Sequence, residues 1–262
     1  LGQKVMDRLE GLPCTTVAMI NGFALGGGLE LALACDYRVL ADDPKAVLGL
    51  PEVKLGIHPG FGGTVRSVRT VGVFAAMDMM LTGRNIRPKQ ARRLGLVDQV
   101  VPGRHLERAA RMMALNPPPA RKTSLKERFL SFAPVRGIIA DKMVKQVARQ
   151  ARREHYPAPY AIVDLWRRFG SAPDQERYEQ EAQSFARLMI GDTAQNLVRV
   201  FFLQDRMKAL GSRRKADVAH VHVVGAGVMG GDIGAWCALR GLEVTLQDRE
   251  LRYVEPALER AR

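Results

Sequence analysis

The segment Val223-Val224-Gly225-Ala226-Gly227-Val228-Met229-Gly230 constrains this chain more than any other. Three glycines in G-x-G-x-x-G spacing follow an apolar run and open a helical one. Glycine inside a helix or strand costs stability, so such a cluster implies a turn or a backbone approach that no side chain tolerates. The helical pattern reaches about Leu239, Gly241 turns the chain, and a second strand at Glu243–Leu246 ends at Asp248, 18 residues beyond Gly230. Strand, tight turn, helix, strand and acid in that order form a dinucleotide fingerprint. The backbone approaches the pyrophosphate, the helix N-terminus faces it, and the acid accepts from the ribose 2′-hydroxyl. Asp248 favours NAD over NADP, although Arg249 beside it is the kind of residue that receives a 2′-phosphate. The competing reading is a glycine turn that serves structure alone.

A second glycine cluster lies in Gly22-Phe-Ala-Leu-Gly-Gly-Gly-Leu-Glu30. A helix beginning at Gly26–Gly28 would point free N–H groups outward, where they stabilise a carbonyl oxygen that gains negative charge. Glu30 falls one turn inside that helix. A second carboxylate, Glu52, sits in Gly49-Leu-Pro-Glu-Val-Lys-Leu-Gly56, ahead of the loop Ile57-His-Pro-Gly-Phe-Gly-Gly-Thr64. Two glutamates beside an oxyanion site would hold a water and divide acid and base work. Spacing alone leaves that pairing open, because glutamates at helix starts commonly serve as caps or dipole partners.

The texture of the chain changes twice. Residues 1–103 alternate short apolar runs (Thr16–Ile20, Tyr37–Leu40) with glycine-rich turns, which reads as α/β. Residues 104–215 read as almost wholly helical, with a helix from Gly191-Asp-Thr193 to about Leu210 whose apolar side carries Leu197, Val200, Phe201 and Met207. Gly211-Ser-Arg-Arg-Lys215 reads as a polar linker. Of the net charge of +13, residues 104–154 hold +9, from 13 basic and 4 acidic residues. Aromatic residues are sparse there, which disfavours a base-stacking surface and hence nucleic acid. No apolar stretch is long enough to span a bilayer. The cysteines Cys14, Cys35 and Cys237 show neither disulfide nor zinc spacing, which fits a reducing cytoplasm. His220 and His222 are expected on opposite faces of a strand, hence not as a metal pair, and His58 is expected in a structural or exposed role. No metal site is expected.

The stretches NGFALGGGLELALACDYRVL, LGLPEVKLGIHPGFGGTVR and LTGRNIRPKQARRLGLVDQVVP resemble signatures of the crotonase (enoyl-CoA hydratase/isomerase) family. GAGVMGG with Asp248 resembles the NAD-binding start of 3-hydroxyacyl-CoA dehydrogenases. That order, with YPAPYAIVDLW and FFLQDRMK between, is similar to the α-subunit family of bacterial fatty-acid oxidation complexes. The resemblance implies an α/β chain with three parts. Residues 1–112 would be the C-terminal part of a crotonase (ββα spiral) fold, 113–215 a helical linker, and 216–262 the start of a Rossmann NAD-binding domain. It implies Glu30 and Glu52 as catalytic residues, Gly27 as an oxyanion donor and Gly60 as a backbone group that places the water. It also implies Asp205 in substrate binding, and Gly225, Gly227, Met229, Gly230 and Asp248 as NAD contacts.

The implied activity is hydration of trans-2-enoyl-CoA, followed by NAD-dependent oxidation of the 3-hydroxyacyl-CoA. A coenzyme A thioester would be the substrate, and a thiolase β subunit the partner in a hetero-oligomer. The basic segment is a candidate docking surface for that subunit or for the CoA phosphates. Asp232 stands where the family usually has glycine, a carboxylate close to the pyrophosphate site. The family's second oxyanion donor and its CoA adenine-binding elements lie upstream of these motifs. The dehydrogenase histidine and its glutamate partner lie beyond Arg262. The chain is therefore expected to be an internal piece of a longer polypeptide, with no dehydrogenase activity alone and little or no hydratase activity. The rival expectation is a non-catalytic remnant that binds acyl-CoA or a partner.

Overall fold

Tyr37-Arg-Val-Leu-Ala41 is a strand with apolar residues on both faces, and such strands sit inside parallel sheets rather than at their edges. The computed structural model describes residues 2–119, 130, 132–212 and 218–261. In chain order its first elements are α1 (Gly2–Glu10), β1 (Val17–Ile20), β2 (Phe23–Leu25), α2 (Gly27–Ala34), β3 (Tyr37–Ala41) and β4 (Val47–Gly49). A short 3-10 helix (Pro51–Leu55), α3 (Gly63–Val71), α4 (Val73–Thr82), α5 (Pro88–Leu94) and β5 (Gln99–Val101) come next. The helices α6 (Leu106–Leu115), α7 (Ala133–Ala148), α8 (Ala158–Phe169), α9 (Asp174–Met189) and α10 (Asp192–Ser212) follow.

β3 is the middle strand of a parallel sheet ordered β1-β3-β5, and β2 pairs with β4 in a second parallel sheet. Parallel neighbours cannot be joined by a hairpin, so each turn of the chain returns through a helix. One strand enters each sheet per turn and a helix closes it, which is the ββα spiral that the resemblance implies. Val39 and Leu40 of β3 are fully buried with Leu29, Leu48, Leu50, Ile86 and Leu96 in one core. Arg38, the strand's one charged residue, is buried because its Nε donates to Leu96 O (2.9 Å) and its Nη1 to Cys35 O (2.8 Å). A buried charge needs such acceptors.

Two compact units emerge, Leu1–Leu203 and Gln204–Arg262. Much of the helical stretch that follows the spiral belongs to the first unit, where Ala140 of α7 and Ile162, Val163 and Trp166 of α8 join the core. On α10, Val200, Phe201 and Met207 of the expected apolar side are exposed. The helix also takes in Gly211 and Ser212, while the rest of the expected linker (213–215) and part of the basic segment (120–129 and 131) lie outside the described residues.

The second unit contains β6 (His220–Val224), α11 (Val228–Leu239), β7 (Glu243–Gln247) and α12 (Leu251–Ala261), with β6 and β7 parallel. One expectation is overturned there. His220 Nε2 and His222 Nδ1 both reach Thr245 Oγ1 (3.0 and 2.6 Å), so the two histidines share a face. Residues i and i+2 of a strand point to the same side. Among the described residues, no helix is long and apolar enough to cross a membrane. No group of three His, Cys, Asp or Glu side chains there is placed to hold a metal ion.

Because Leu40 is fully enclosed on both sides of the sheet, Leu40→Ala should lower unfolding stability by about 2–5 kcal/mol. Chemical denaturation of the two proteins side by side checks this.

Candidate active site

Gly26 adopts φ 55°, ψ −127°, a conformation that L side chains rarely take, and this sharp turn starts α2. Its N–H donates to Gly49 O (2.9 Å), which ties the start of the helix to the end of β4. Gly26 O accepts from the N–H groups of Leu29 (2.8 Å) and Glu30 (3.0 Å). The N–H groups of Gly27 and Gly28 come first in the helix, so helix geometry gives them no intrahelical acceptor. Glu30 stands one turn in and is 2% exposed.

What holds the buried Glu30 carboxylate is the loop after His58. Phe61 N and Gly63 N both donate to Glu30 Oε1, at 2.7 and 2.8 Å. The alternate N–H groups of the same stretch go elsewhere: Gly62 N donates to Glu181 Oε1 (2.6 Å) and Thr64 N to Glu181 Oε2 (2.9 Å). Glu181 lies on α9, is fully buried, and also accepts from Thr64 Oγ1 and from Gln3 Nε2 (2.8 Å). Arg66 closes the loop from below. Its Nη1 donates to Phe61 O (2.9 Å), its Nη2 meets Asp7 (2.7 Å), its Nε meets Glu10 (2.9 Å), and its guanidinium lies over the Tyr178 ring.

Glu52 enters from the 3-10 helix. A Cβ on Gly26 would lie 3.1 Å from Glu52 Oε1, so the third glycine before α2's Leu29 leaves room for this carboxyl group. Neither Glu52 oxygen, though buried, receives a hydrogen bond from another described residue. Burial pushes Glu52 up to about 7, opposed by its own backbone N–H and helped by the charge of Glu181. Burial pushes Glu30 up to about 8, helped by the charges of Glu181 and Glu52 and opposed by the Phe61 and Gly63 N–H groups. Carboxyl groups raised this far in a protected site are candidates for acid and base work near neutral pH.

The structure therefore brings Gly27, Glu30, Glu52 and the Gly60–Thr64 loop together. Gly60 has a local reason to be glycine, since a Cβ there would meet the Phe185 ring at 2.6 Å. His58 is buried, with Nδ1 2.7 Å from Pro59 O and Nε2 2.9 Å from Ser184 Oγ, and burial lowers it to about 4. It is a neutral structural bridge to α9. Sequence reading missed Glu181 and Arg66. A usable signal exists for Glu181: Tyr178, Glu181, Ser184 and Phe185 share one helix face at i, i+3 and i+4 spacing, so an acid falls in a stripe that packs inward.

In the second unit, Gly225 (φ 98°) turns the chain after β6 and donates to Gln247 O (2.7 Å). A Cβ on Gly230 would collide with Gly225 O, so the motif's third glycine lets α11 pack against the turn. Gly227 precedes the first residue of α11, and Met229 is exposed in its first turn. Asp248 Oδ1 accepts from Arg249 N and Oδ2 from Ala226 N, both at 2.7 Å, and these bonds hold it below the usual carboxylate range. An ionised, half-buried carboxylate thus stands at the end of β7, bonded to the glycine turn. That is the placement a dinucleotide ribose requires. Asp232 is exposed on α11, and Asp205 is exposed on α10 within the second unit. The carboxylate cluster of the first unit is built without Asp205.

Comparison with known proteins finds two families in this order along the chain. Residues 2–147 match the family model described as enoyl-CoA hydratase/isomerase, and residues 220–262 match that of the 3-hydroxyacyl-CoA dehydrogenase NAD binding domain. A fatty acid oxidation complex subunit alpha from Aliivibrio fischeri is 44% identical over 235 residues, covering 88% of this chain and 34% of that protein. One from Shewanella halifaxensis is 44% identical over 245 residues, covering 89% and 34%. The chain thus spans about a third of the length of these relatives. A solved enoyl-CoA hydratase from Mycobacterium avium subsp. paratuberculosis matches 77% of this chain and 69% of its own, with TM-score 0.50 and 18% identity, a likeness of fold alone.

The raised carboxyl groups make stability depend on pH. Glu30 and Glu52 bind protons more tightly folded than unfolded, where the ordinary value is 4.5. Their contribution is full below about pH 4.5 and is lost as pH rises through about 7 to 8. Glu52→Gln, neutral throughout, should therefore be more stable than the wild type above about pH 8, by up to about 3 kcal/mol. The difference should shrink toward zero near about pH 4. Thermal melts of both proteins across that range check the sign.

Proposed function

The chain belongs to the enoyl-CoA hydratase/isomerase family, and on that premise we propose that its first unit carries the hydration site for trans-2-enoyl-CoA thioesters. The observation that supports this most is the pair of buried carboxyl groups, Glu30 and Glu52, raised to about 8 and about 7 beside the first N–H groups of α2. Near neutral pH such a pair holds one exchangeable proton, so one member is a base and the other an acid. The base takes a proton from water as the water oxygen bonds to the β-carbon. The electrons of the double bond move toward the thioester, and the α-carbon takes its proton from the acid. Negative charge builds on the thioester oxygen in between. Gly27 N–H at the positive end of α2 is the group that meets it, and a donor matters most where charge develops.

The second unit supplies NAD binding in this reading, through the Gly225–Gly230 turn and Asp248. NAD held there would supply a hydride acceptor for oxidation of a 3-hydroxyacyl-CoA. The residues present fit that cofactor, since Asp248 keeps acceptor capacity toward solvent beyond its two backbone bonds. The name of the relatives, subunit alpha of a fatty acid oxidation complex, supports a whole protein that joins both activities. That name also supports a further subunit as partner, which this reading takes to be a thiolase β subunit. A cytoplasmic setting goes with this reading and with three free thiols, Cys14, Cys35 and Cys237.

A non-catalytic acyl-CoA binder would have no chemical need for Glu30 and Glu52, and the same variants separate the two readings. In the full-length protein, Glu30→Gln and Glu52→Gln should each lower kcat for hydration by about 10²- to 10⁴-fold with the fold intact. Turnover is followed by the loss of enoyl-thioester absorbance, and unchanged turnover would overturn the assignment. For the second unit, Asp248→Ala should weaken NAD binding by about 10-fold or more, measured by titration calorimetry. An unchanged Kd would remove Asp248 from the cofactor site.

A further inference from the structure

We propose that Glu181, which lies outside the spiral on α9, is a positioning residue for hydration: it holds the Gly60–Thr64 loop against Glu30 and adds a third carboxyl group beside the two catalytic ones. This rests on the hydratase reading above and adds a residue to it.

The geometry is specific. Four consecutive N–H groups, from Phe61 to Thr64, alternate between Glu30 Oε1 and the two oxygens of Glu181. Neither carboxylate can move along its axis without pulling the loop with it. Glu30's second oxygen is left for the reaction because Oε1 takes both of its loop donors. Glu181 is fully enclosed, and Gly62 N, Thr64 N, Thr64 Oγ1 and Gln3 Nε2 all donate to it. Burial pushes the Glu181 carboxyl above the ordinary carboxylate range, and these donors oppose that rise by favouring its ionised form.

The surroundings leave that charge uncancelled on the catalytic side. From α1 Glu181 meets only the neutral Gln3, and from α3 only Thr64. One helical turn back along α9, Tyr178 carries the Arg66 guanidinium over its ring, and that cation is already engaged by Asp7 and Glu10. One turn forward, Ser184 bonds the neutral His58. Glu30 and Glu52 are both raised in part by the charge of Glu181. A negative charge behind two carboxyl groups favours their protonated forms, so it helps keep their working range near neutral pH.

The test uses the full-length protein, hydration of a short trans-2-enoyl-CoA, and pH profiles of kcat and KM for wild type, Glu181→Gln and Glu181→Asp. Glu181→Gln removes the charge and leaves the shape. Its kcat should fall by about 10-fold or more with KM changed less than about threefold. Both limbs of its pH profile should move to lower pH by roughly half a unit or more, because both carboxyl groups lose a repelling neighbour. Glu181→Asp keeps the charge on a shorter arm, so its limbs should stay in place while kcat falls. A folded Glu181→Gln whose kcat and pH limbs superimpose on wild type overturns the proposal. If Glu181→Gln does not fold, Thr64→Val decides: it deletes one donor to Glu181, and a kcat equal to wild type overturns the proposal, whereas a fall in kcat at unchanged KM supports it. Absence of hydration by the wild type would instead sink the hydratase reading, and this inference with it.

Discussion

Four successive backbone N–H groups, shared between two buried carboxylates, are the constraint on which the rest of the site depends. Glu30 and Glu181 reach the loop from opposite sides, one from the helix that opens after Gly26 and one from α9. A buried carboxylate without donors is costly, and a buried N–H without an acceptor is costly too. Each cost is relieved here only by the other partner. The loop therefore cannot relax independently of α2 or α9, and its glycines follow from the same requirement. A side chain at Gly63 would run into Glu30 and Pro59, and one at Gly60 into Phe185.

That arrangement leaves Glu52 as the contrasting member. The residue is half-buried, but both its carboxyl oxygens are enclosed and no other described residue donates to them. Burial without donors raises a carboxyl pKa, and the negative charge of Glu181 raises it further. The site thus stores unfavourable electrostatics at a place where a proton must be exchanged. Function and stability oppose each other at Glu52, as they commonly do where chemistry requires a group that the fold would rather neutralise. Glu181 is raised by burial too, but donors oppose the rise there, and Arg66 is encircled by acceptors in the same way.

Much of this was legible in the sequence. The strand at Tyr37–Ala41, the helix after Gly26–Gly28 and the strand–turn–helix around Gly225–Gly230 all announce themselves through glycine spacing and apolar runs, which are local signals. The proximity of Glu30 and Glu52 was not decidable from spacing, because it depends on how β2 and β4 pair and on how Gly26 turns. Glu181 was out of reach for the same reason, at more than a hundred residues from the loop it holds. His220 and His222 were misplaced by a simpler error, since the two-residue period of a strand puts them on one face. The exposed side of α10 marks another limit. An apolar stripe predicts burial, but a sequence does not say against what.

The helices after the spiral are then best understood by what they touch. Within the first unit, α9 supplies Glu181 to the loop, Ser184 to His58 and Phe185 to Gly60, while Ala194 and Leu197 of α10 close on Gly56, the glycine that ends Glu52's 3-10 helix. Those five residues all meet the stretch from Gly56 to Thr64, the stretch that carries the donors for Glu30 and follows Glu52 directly. A segment that merely connected two folded parts would not need to place an acid, a hydroxyl and an aromatic ring at successive positions on one helix face. The composition of α9 is explained by the loop it meets, so the wall of the site begins some hundred residues after the motif that identifies it.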